Sequence, residues 1–390
     1  MQIYQTGQFR KSSYFSKCVI ATFSFFMINH AFANVVITGN QNINTATTYN
    51  NTTLDMSNGR FTINTGGTLT IQNSTINVTI SPSNPFFTAM TNGSLVMNNN
   101  IVNVTVSGIT PNPNSQSLYP IMPIQQGSVN LNGNTFTTDT DFTVSLLQTN
   151  VPATTNFSIT NNTIKHFHGG LYLNNSSNAT VSGNTFWNVS FSNIYNSGQL
   201  NNFNNNIFYF PGNLRLGDAI DLINATGVNI QNNIISSSSN YGIYIMGGQN
   251  ISIDNNKIVD GLSYGISIPT SSLQKVNNKS LAQLLSKKKL TLLSNSNIVI
   301  NNNYISLNRY GLSGGVINQL IVTGNTFIQR FSDSSIRQYW TNNDILLPSA
   351  SNVTWANNLY KEAFTQDVPG DNSNALSFVT FPQHGGVFIP

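Results

Sequence analysis

Two carboxylates lie close together in a sequence that otherwise carries few charges. Asp218 and Asp221 are three residues apart within GDAIDL, just after Arg215, and only 7% of the 390 residues are charged. Two carboxylates can act as acid and base in glycoside hydrolysis, with their separation deciding the stereochemistry. They can also hold Ca²⁺, which together with Arg215 would neutralise a uronate carboxylate and acidify its C5 proton. A third interpretation is a surface ion pair between Arg215 and Asp218, which would contribute little energy.

The first 33 residues have the pattern of a secretory signal peptide. A basic segment with Arg10, Lys11 and Lys17 precedes an apolar stretch, and the sequence AFA at 31–33 fits a cleavage site. The apolar stretch is too short to span a bilayer. We therefore predict an exported protein, periplasmic, at the cell surface or extracellular, with no membrane span in the mature chain.

Cleavage of the signal peptide changes the charge and the cysteine content. The only cysteine, Cys18, leaves with the peptide, so the mature chain can form no disulfide. Three basic and no acidic residues leave too, and the formal net charge falls from +4 to +1. Because no basic stripe runs along the chain, we predict no nucleic-acid partner.

A six-residue pattern recurs along the chain: apolar, any, Asn or Gly, Asn, any, apolar. Its clearest copies are LNGNTF (131–136), ITNNTI (159–164), VSGNTF (181–186), FNNNIF (203–208), IQNNII (230–235), IDNNKI (253–258), INNNYI (300–305), VTGNTF (322–327) and WANNLY (355–360). Four of the intervals between them are 22 or 23 residues. A period of this length with alternating apolar positions is typical of one turn of a parallel β-helix.

The repeat predicts an all-β fold, a single parallel β-helix solenoid of about 10–12 coils with terminal caps. Its coils would cover residues 67–360. Residues 34–66 would form an N-terminal cap and the first strands, and residues 361–390 a C-terminal cap or tail. The Lys-rich segment 270–294 interrupts the stack as an insertion, either a solvated loop or a binding element.

The second Asn of each copy falls at a bend between two strands. Stacked coils would place these amides directly above one another, where each can donate to the next and to the backbone of the bend. We interpret this ladder as structural and assign it no ligand.

The strands that follow each bend can be aligned, and their side chains alternate between the interior and the outer surface. The outward column then contains Tyr172, Tyr195, Asp221, Tyr244, Ser267, Ser313 and Arg337. Exposed aromatic rings can stack on the faces of sugars, and a solitary acid among them can act on the bound chain. The column therefore favours binding of a polysaccharide. The alternative is that the rings pack on one another as cross-strand pairs. Asp218 falls at the corner before the strand, so we expect the two acids to occupy separate places.

The NN and GN bends, with the G-Φ-x-Φ strands that follow, such as GIYI (242–245) and GISI (265–268), resemble the pectate-lyase-like superfamily of right-handed parallel β-helices. The resemblance covers residues 67 to about 360 and implies a right-handed coil. It leaves the activity open, because the superfamily includes pectate and alginate lyases, polygalacturonases, mannuronan epimerases, copper-site maturation proteins and phage tailspikes.

No catalytic signature of these relatives is complete in this sequence. Polygalacturonases carry adjacent aspartates and a downstream histidine turn, whereas here the aspartates are three apart and His168-Gly169 lies upstream. Pectate lyases take several acids from neighbouring coils, whereas the positions beside Asp221 are tyrosines. The D-P-H stretch of mannuronan epimerases is absent.

The leading hypothesis is an exported β-helix that binds an acidic polysaccharide at Tyr172, Tyr195 and Tyr244. Cleavage or epimerisation would centre on Asp218, Asp221 and Arg215, with Ca²⁺ as a candidate cofactor. The alternative is a non-catalytic surface, adhesion or structural solenoid.

Two further groups of residues have side chains suited to this chemistry. Tyr244 and Lys257 are candidate bases that the sequence does not rank. His166 and His168 lie on one predicted strand face, but with so few other ligands in the mature chain we assign no metal site.

Overall fold

Short strands with alternating apolar residues make up the described structure. The computed structural model describes residues 33–110, 119–140, 143–149, 156–211, 217–270, 293–306, 308, 310–329, 345–346 and 350–362. Residues 1–32 of the predicted signal peptide, most of the insertion at 270–294 and nearly all of the tail at 361–390 lie outside them. In the described part of the chain, no helix is long and apolar enough to cross a membrane.

The described residues form 35 strands. The first eighteen are β1 (Ala33–Ile43), β2 (Ala46–Asn50), β3 (Thr52–Ile63), β4 (Thr68–Gln72), β5 (Thr75–Ile80), β6 (Thr88–Met90), β7 (Gly93–Asn98), β8 (Ile101–Val106), β9 (Tyr119–Ile124), β10 (Gly127–Asn132), β11 (Thr135–Thr138), β12 (Val144–Thr149), β13 (Phe157–Thr160), β14 (Thr163–Lys165), β15 (Gly169–Leu173), β16 (Thr180–Ser182), β17 (Thr185–Trp187) and β18 (Ile194–Asn196). The others are β19 (Asn202–Asn204), β20 (Ile207–Tyr209), β21 (Ile220–Ile223), β22 (Asn229–Gln231), β23 (Ile234–Ser236), β24 (Tyr241–Met246), β25 (Gln249–Asp254), β26 (Lys257–Val259), β27 (Tyr264–Ile268), β28 (Asn295–Asn301), β29 (Tyr304–Ser306), β30 (Tyr310–Gly314), β31 (Ile317–Thr323), β32 (Thr326–Gln329), β33 (Ile345–Leu346), β34 (Ala350–Ala356) and β35 (Leu359–Glu362).

The strands stack into three parallel faces, which we number in the order in which each coil meets them. Face 1 is the twelve-stranded sheet, from β2 and β4 to β34. Face 2 runs from β5 and β8 to β35, and face 3 runs from β6 and β9 to β33. The long strands β1 and β3 each contribute to both faces 2 and 3, which joins these two faces into one 23-stranded sheet. The predicted all-β parallel solenoid is confirmed.

The interior of the solenoid is a continuous apolar column. In β4 half-buried and fully buried side chains alternate. Leu69 and Ile71 are fully buried, and the threonines and the glutamine beside them are half-buried. Equivalent residues of neighbouring coils lie above one another, as in the stacked Phe186 and Phe208 rings with centroids 4.9 Å apart. Each coil buries its apolar side chains in its own interior and against the coils beside it, so the repeat in the sequence translates directly into the stack.

The bend between faces 1 and 2 explains the Asn/Gly-Asn pair. Its first residue has a left-handed backbone, with φ of 56° at Asn161 and 68° at Gly183, a conformation that glycine and asparagine adopt most readily. Its second residue is buried. Asn184 donates from Nδ2 to Asn206 Oδ1 of the next coil at 3.0 Å and to Ile159 O of the previous coil at 2.8 Å.

The same hydrogen-bonding pattern repeats from coil to coil. We call its members the asparagine column: Asn100, Asn134, Asn162, Asn184, Asn206, Asn233, Asn256, Asn303, Asn325 and Asn358. Each amide satisfies buried polar atoms of two neighbouring coils, so the column fixes the position of the bend.

Candidate functional site

The predicted outward column is present on face 3. Tyr172 pairs with Tyr195, Tyr195 with Asp221, and Asp221 with Tyr244. The column continues through Ser267 and Ser313 and then reaches Leu346. The assignment of Arg337 to this position was therefore wrong, and Arg337 itself lies outside the described residues. Strand β33 begins at Ile345, further along the chain than a regular repeat after β30 would place it. A prediction from the repeat length therefore selected the wrong residue.

Asp221 is not the exposed acid that the alternation of the strand predicted. Asp221 is only 6% exposed to solvent, and Tyr195 is only 7% exposed. Tyr195, Ile223 and Met246 form an apolar cluster of their own on this face, and the half-buried Tyr172 and Tyr244 pack against it. An outward position on a β-helix is exposed only if its neighbours are small, and here large rings surround the carboxyl.

Asp218 and Asp221 meet, although we expected them to occupy separate places. Asp218 lies at the corner before β21, where its Oδ1 accepts the backbone N–H of Tyr241 at 2.9 Å. Its carboxyl group lies close enough to the carboxyl group of Asp221 for the two side chains to alter each other's pKa. The corner turns the Asp218 side chain toward the same side of face 3 as Asp221, an effect that strict strand alternation does not capture.

The close approach of the two acids affects their protonation. Two ionised carboxylates can only accept hydrogen bonds, so a hydrogen bond between them needs one protonated partner. Burial, and then the charge of Asp221, raise the pKa of Asp218 well above its usual range. Burial raises the pKa of Asp221 to about 6, against the lowering effect of Asp218 and of the Ser192 hydroxyl. Burial therefore favours the protonated form of both acids, and one proton held between them would let the two carboxyl groups form a hydrogen bond.

Ser192 completes the immediate surroundings of the pair. Its hydroxyl donates a short hydrogen bond to Asp221 Oδ2. Ser192 is buried and comes from the coil that also contains Tyr195. Three consecutive coils thus contribute to the environment of the carboxyl pair: Ser192 from one, the two acids from the next, and the Tyr241 backbone from the third.

The three tyrosines of the column are neutral hydroxyl groups. Burial, and then the charge of Asp221, raise the pKa of Tyr172 and Tyr195. The pKa of Tyr244 is raised by burial, then by Tyr241 and then by Asp221. Tyr244 is therefore a poor candidate for a general base. The other candidate base, Lys257, begins β26 on face 2, away from the carboxyl pair.

A glycine makes room for the first ring of the column. A Cβ added to Gly169 would lie 2.4 Å from Cε2 of Tyr172, so the ring lies directly against this glycine. Tyr172 stacks on Tyr195 with centroids 5.6 Å apart and planes at 19°. The absence of a side chain at Gly169 therefore makes room for the stack of Tyr172 on Tyr195, which lies next to Asp221.

A second tyrosine stack borders the pair and was missed in the sequence. Tyr241 lies 5.3 Å from Tyr264, and Tyr264 lies 4.6 Å from Tyr310, centroid to centroid. Tyr241 also contacts Tyr244 at 4.8 Å, which links the two stacks. The signal is a Tyr-Gly pair that opens three successive face 3 strands: β24, β27 and β30.

Three further sequence candidates remain, Arg215 and the two histidines. Arg215 lies outside the described residues. His166 Nδ1 lies 3.2 Å from Asn188 Nδ2, whereas His168 is buried and its Nδ1 lies 3.0 Å from Ser190 Oγ. Within the described ranges no group of three or more His, Cys, Asp or Glu side chains could hold a metal ion. Ca²⁺ would have to displace any proton held between the two carboxyls.

The sequence matches the family described as "Right handed beta helix region" over residues 117–258 and 203–358, more than half of the chain. The chain belongs to this family. The β-helix is similar to the crystal structure of the periplasmic alginate epimerase AlgG, with a TM-score of 0.51, 13% identity and coverage of 78% of this chain and 76% of that one. At this identity the likeness shows the fold.

Two further solved structures of other proteins align with the β-helix at lower scores. The Dettilon tailspike protein has a TM-score of 0.37 and 12% identity, over 85% of this chain and 61% of that one. A complex of the alginate lyase AlyF-OU02 with G6 has a TM-score of 0.30 and 14% identity, over 84% of this chain and 79% of that one. No curated protein matches the sequence.

Proposed function

We propose that face 3 binds an acidic polysaccharide across its tyrosines and that the Asp218–Asp221 pair transfers a proton to or from the bound chain. The observation that carries the proposal is the close approach of two buried carboxyl groups beside two tyrosine stacks. Export, as expected from the first 33 residues, would bring the protein to such a substrate. The likeness to AlgG, named as an alginate epimerase, supports this substrate class only through the fold.

The contact between the carboxyls narrows the reaction class. Glycosidases keep their two carboxyl groups roughly 5 to 9.5 Å apart, to leave room for a sugar or a water between them. Carboxyls that approach each other this closely leave no such room. A pair that holds one proton can instead accept a proton with one oxygen and donate with another, as in other shared-proton carboxyl dyads. This favours removal and return of a proton next to a uronate carboxyl group, that is, elimination or epimerisation.

Activity assays with the mature protein test this proposal. The protein is incubated with alginate, pectate and polygalacturonate, each with and without Ca²⁺. Ultraviolet absorbance detects unsaturated ends formed by elimination, and NMR detects epimerised residues. Asp221→Asn is expected to abolish either reaction while keeping the fold, and Tyr195→Ala is expected to weaken glycan binding about tenfold. Absence of any reaction together with unaltered glycan binding by both variants would sink the proposal.

A second candidate is a non-catalytic solenoid, and the burial of the pair favours it. Asp218 is 7% exposed and uses one oxygen to hold the Tyr241 backbone of the next coil. The tyrosines stack on one another, as cross-strand pairs do in a purely structural role. For this candidate, Asp221→Asn and Tyr195→Ala change the stability of the protein but no glycan is bound by the wild type.

A further inference from the structure

An exposed aromatic cluster lies on face 2, away from the carboxyl pair on face 3. Trp187 is 41% exposed and Phe210 is 49% exposed. The Trp187 ring lies 5.4 Å from the Tyr209 ring and 5.8 Å from the Phe210 ring, the latter edge-on at 78°. We call these three residues the aromatic platform. Single exposed apolar residues are common, but three adjoining large rings at the surface indicate a contact with something outside the fold.

The backbone at Phe210 makes the platform harder to explain as packing. Its φ is 51°, in the left-handed region that bulky residues rarely adopt. The corner after face 2 keeps this conformation in five successive coils, with short polar residues or histidine at the other four positions: His166, Asn188, Ser237 and Asp260. Asparagine would suit the backbone of this corner better than phenylalanine does. A strained residue that gains little from burial points to a role for its side chain.

A cation adjoins the platform. Lys165 pairs in register with Trp187, which in turn pairs with Tyr209, so the three outward side chains follow one another at strand spacing, ~4.8 Å. The neighbours that complete this part of the column are the neutral Thr137 and Ser236. Within the described residues from Thr137 to Ser236, the column therefore offers one positive charge directly beside the rings.

We propose that the aromatic platform with Lys165 is a second binding surface, for an acidic oligosaccharide. The polarised C–H groups of a pyranose face pack against the electron-rich faces of aromatic rings. The Lys165 ammonium group pairs with the carboxylate of the neighbouring uronate. The surface uses neither Asp218 nor Asp221, so it does not depend on the function proposed for face 3.

Calorimetric titrations of the mature protein test the platform. The probes are short oligomers of alginate and polygalacturonate, with maltohexaose as the neutral counterpart. Phe210→Asn removes the ring and suits the left-handed backbone, so we expect affinity for the acidic oligomers to fall about tenfold without loss of thermal stability. Trp187→Ala is expected to do the same, and Lys165→Gln to reduce both the affinity and its dependence on salt.

Leu200→Asn is the matched control. Leu200 is also an exposed apolar residue, at 57%, with a left-handed backbone, φ 53°, and Asn178 of another coil has the same conformation. Its replacement is expected to leave binding unchanged.

Three results would overturn the proposal. The first is wild-type affinity in Phe210→Asn, and the second is equal affinity for maltohexaose. The third is a concentration-dependent dimer in sedimentation that Phe210→Asn abolishes, because the platform would then bind a second copy of the chain. Loss of binding in Tyr195→Ala alone would support face 3 and refute the platform. Loss in Phe210→Asn alone would support the platform and count against face 3.

Discussion

The carboxyl groups of Asp218 and Asp221 approach each other closely on the outer side of face 3, where each alters the pKa of the other. The two residues are separated by only Ala219 and Ile220, whose side chains are fully buried in the core. The strand thus anchors its apolar residues inside the solenoid while the acids on either side converge outside it. Both acids are buried by the rings around them, so their protonation is coupled to folding.

Acidification is expected to stabilise the protein through this pair. The folded-state pKa values of both acids lie above the usual value, so their contribution to stability is fully present below about pH 4. It is lost as the pH rises through about 6 for Asp221 and through the raised pKa of Asp218. Asp218→Asn supplies a neutral donor at all pH values. Urea unfolding at pH 8 should therefore show a gain of about 1–3 kcal/mol over wild type, and at pH 4 little difference.

The control for this prediction is Asp55→Asn. Hydrogen bonds from the Ser57 side chain and backbone lower the pKa of Asp55, which lies away from the carboxyl pair. Replacing Asp55 should therefore leave the loss of stability at high pH as large as in wild type. The same pH dependence in wild type and Asp218→Asn would show that the pair does not titrate as described.

Ser192→Ala should raise the pKa of Asp221 further. The Ser192 hydroxyl donates to Asp221 Oδ2 and thereby favours the ionised form. Its loss should move the titration of Asp221 upward, measured by carboxyl-carbon NMR, and destabilise the protein by about 1 kcal/mol at neutral pH. Ser192→Thr keeps a hydroxyl group and should titrate close to wild type. An unshifted Asp221 in Ser192→Ala would contradict the assigned hydrogen bond.

Gly169→Ala should disturb the tyrosine stack rather than the solenoid. The new Cβ would meet the Tyr172 ring at 2.4 Å, which forces the ring away from Tyr195. We expect a loss of roughly 1–3 kcal/mol in stability and a changed near-ultraviolet circular dichroism signal. In a Tyr172→Ala background the same substitution meets no ring and should cost far less. Equal costs in both backgrounds would show that the clash lies elsewhere.

Asn206→Leu should be among the most damaging substitutions in the asparagine column. The Asn206 side chain donates to Val181 O and Asn233 Oδ1 and accepts from the Asn184 backbone and amide, at 2.9–3.0 Å. Its loss leaves buried groups in two coils unsatisfied, so unfolding should be easier by about 3 kcal/mol or more. Asn205→Gly, at the adjoining left-handed position (φ 56°), should change stability by less than about 1 kcal/mol. Similar effects of both would argue against a special role of the column.

Much of the fold follows from the sequence because its contacts are local in the stack. Asn184 and Asn206 are 22 residues apart in the chain yet neighbours in space. The spacing of the VSGNTF and FNNNIF copies predicts this contact. The same spacing places Tyr195 beside Asp221. Where the period fails, the prediction fails too, as at Leu346, which takes the place assigned to Arg337.

The environment of the candidate site could not be predicted in the same way. Alternation along β21 gives the direction of the Asp221 side chain, but its burial depends on how the rings of Tyr172, Tyr195 and Tyr244 lie over it. The left-handed backbone at Phe210 could not be predicted either, because nothing in the sequence FYFPG indicates that this corner requires it.

The sequence by itself determined the solenoid, the bends of the regular coils and the order of the outward column from Tyr172 to Ser313, because a coil repeat is a one-dimensional pattern. Only the tertiary structure decided that the carboxyl groups of Asp218 and Asp221 lie close together and are buried. That contact depends on the direction of a corner side chain, and the raised pKa values depend on rings supplied by three different coils. Such effects combine distances across several coils, which no residue spacing encodes.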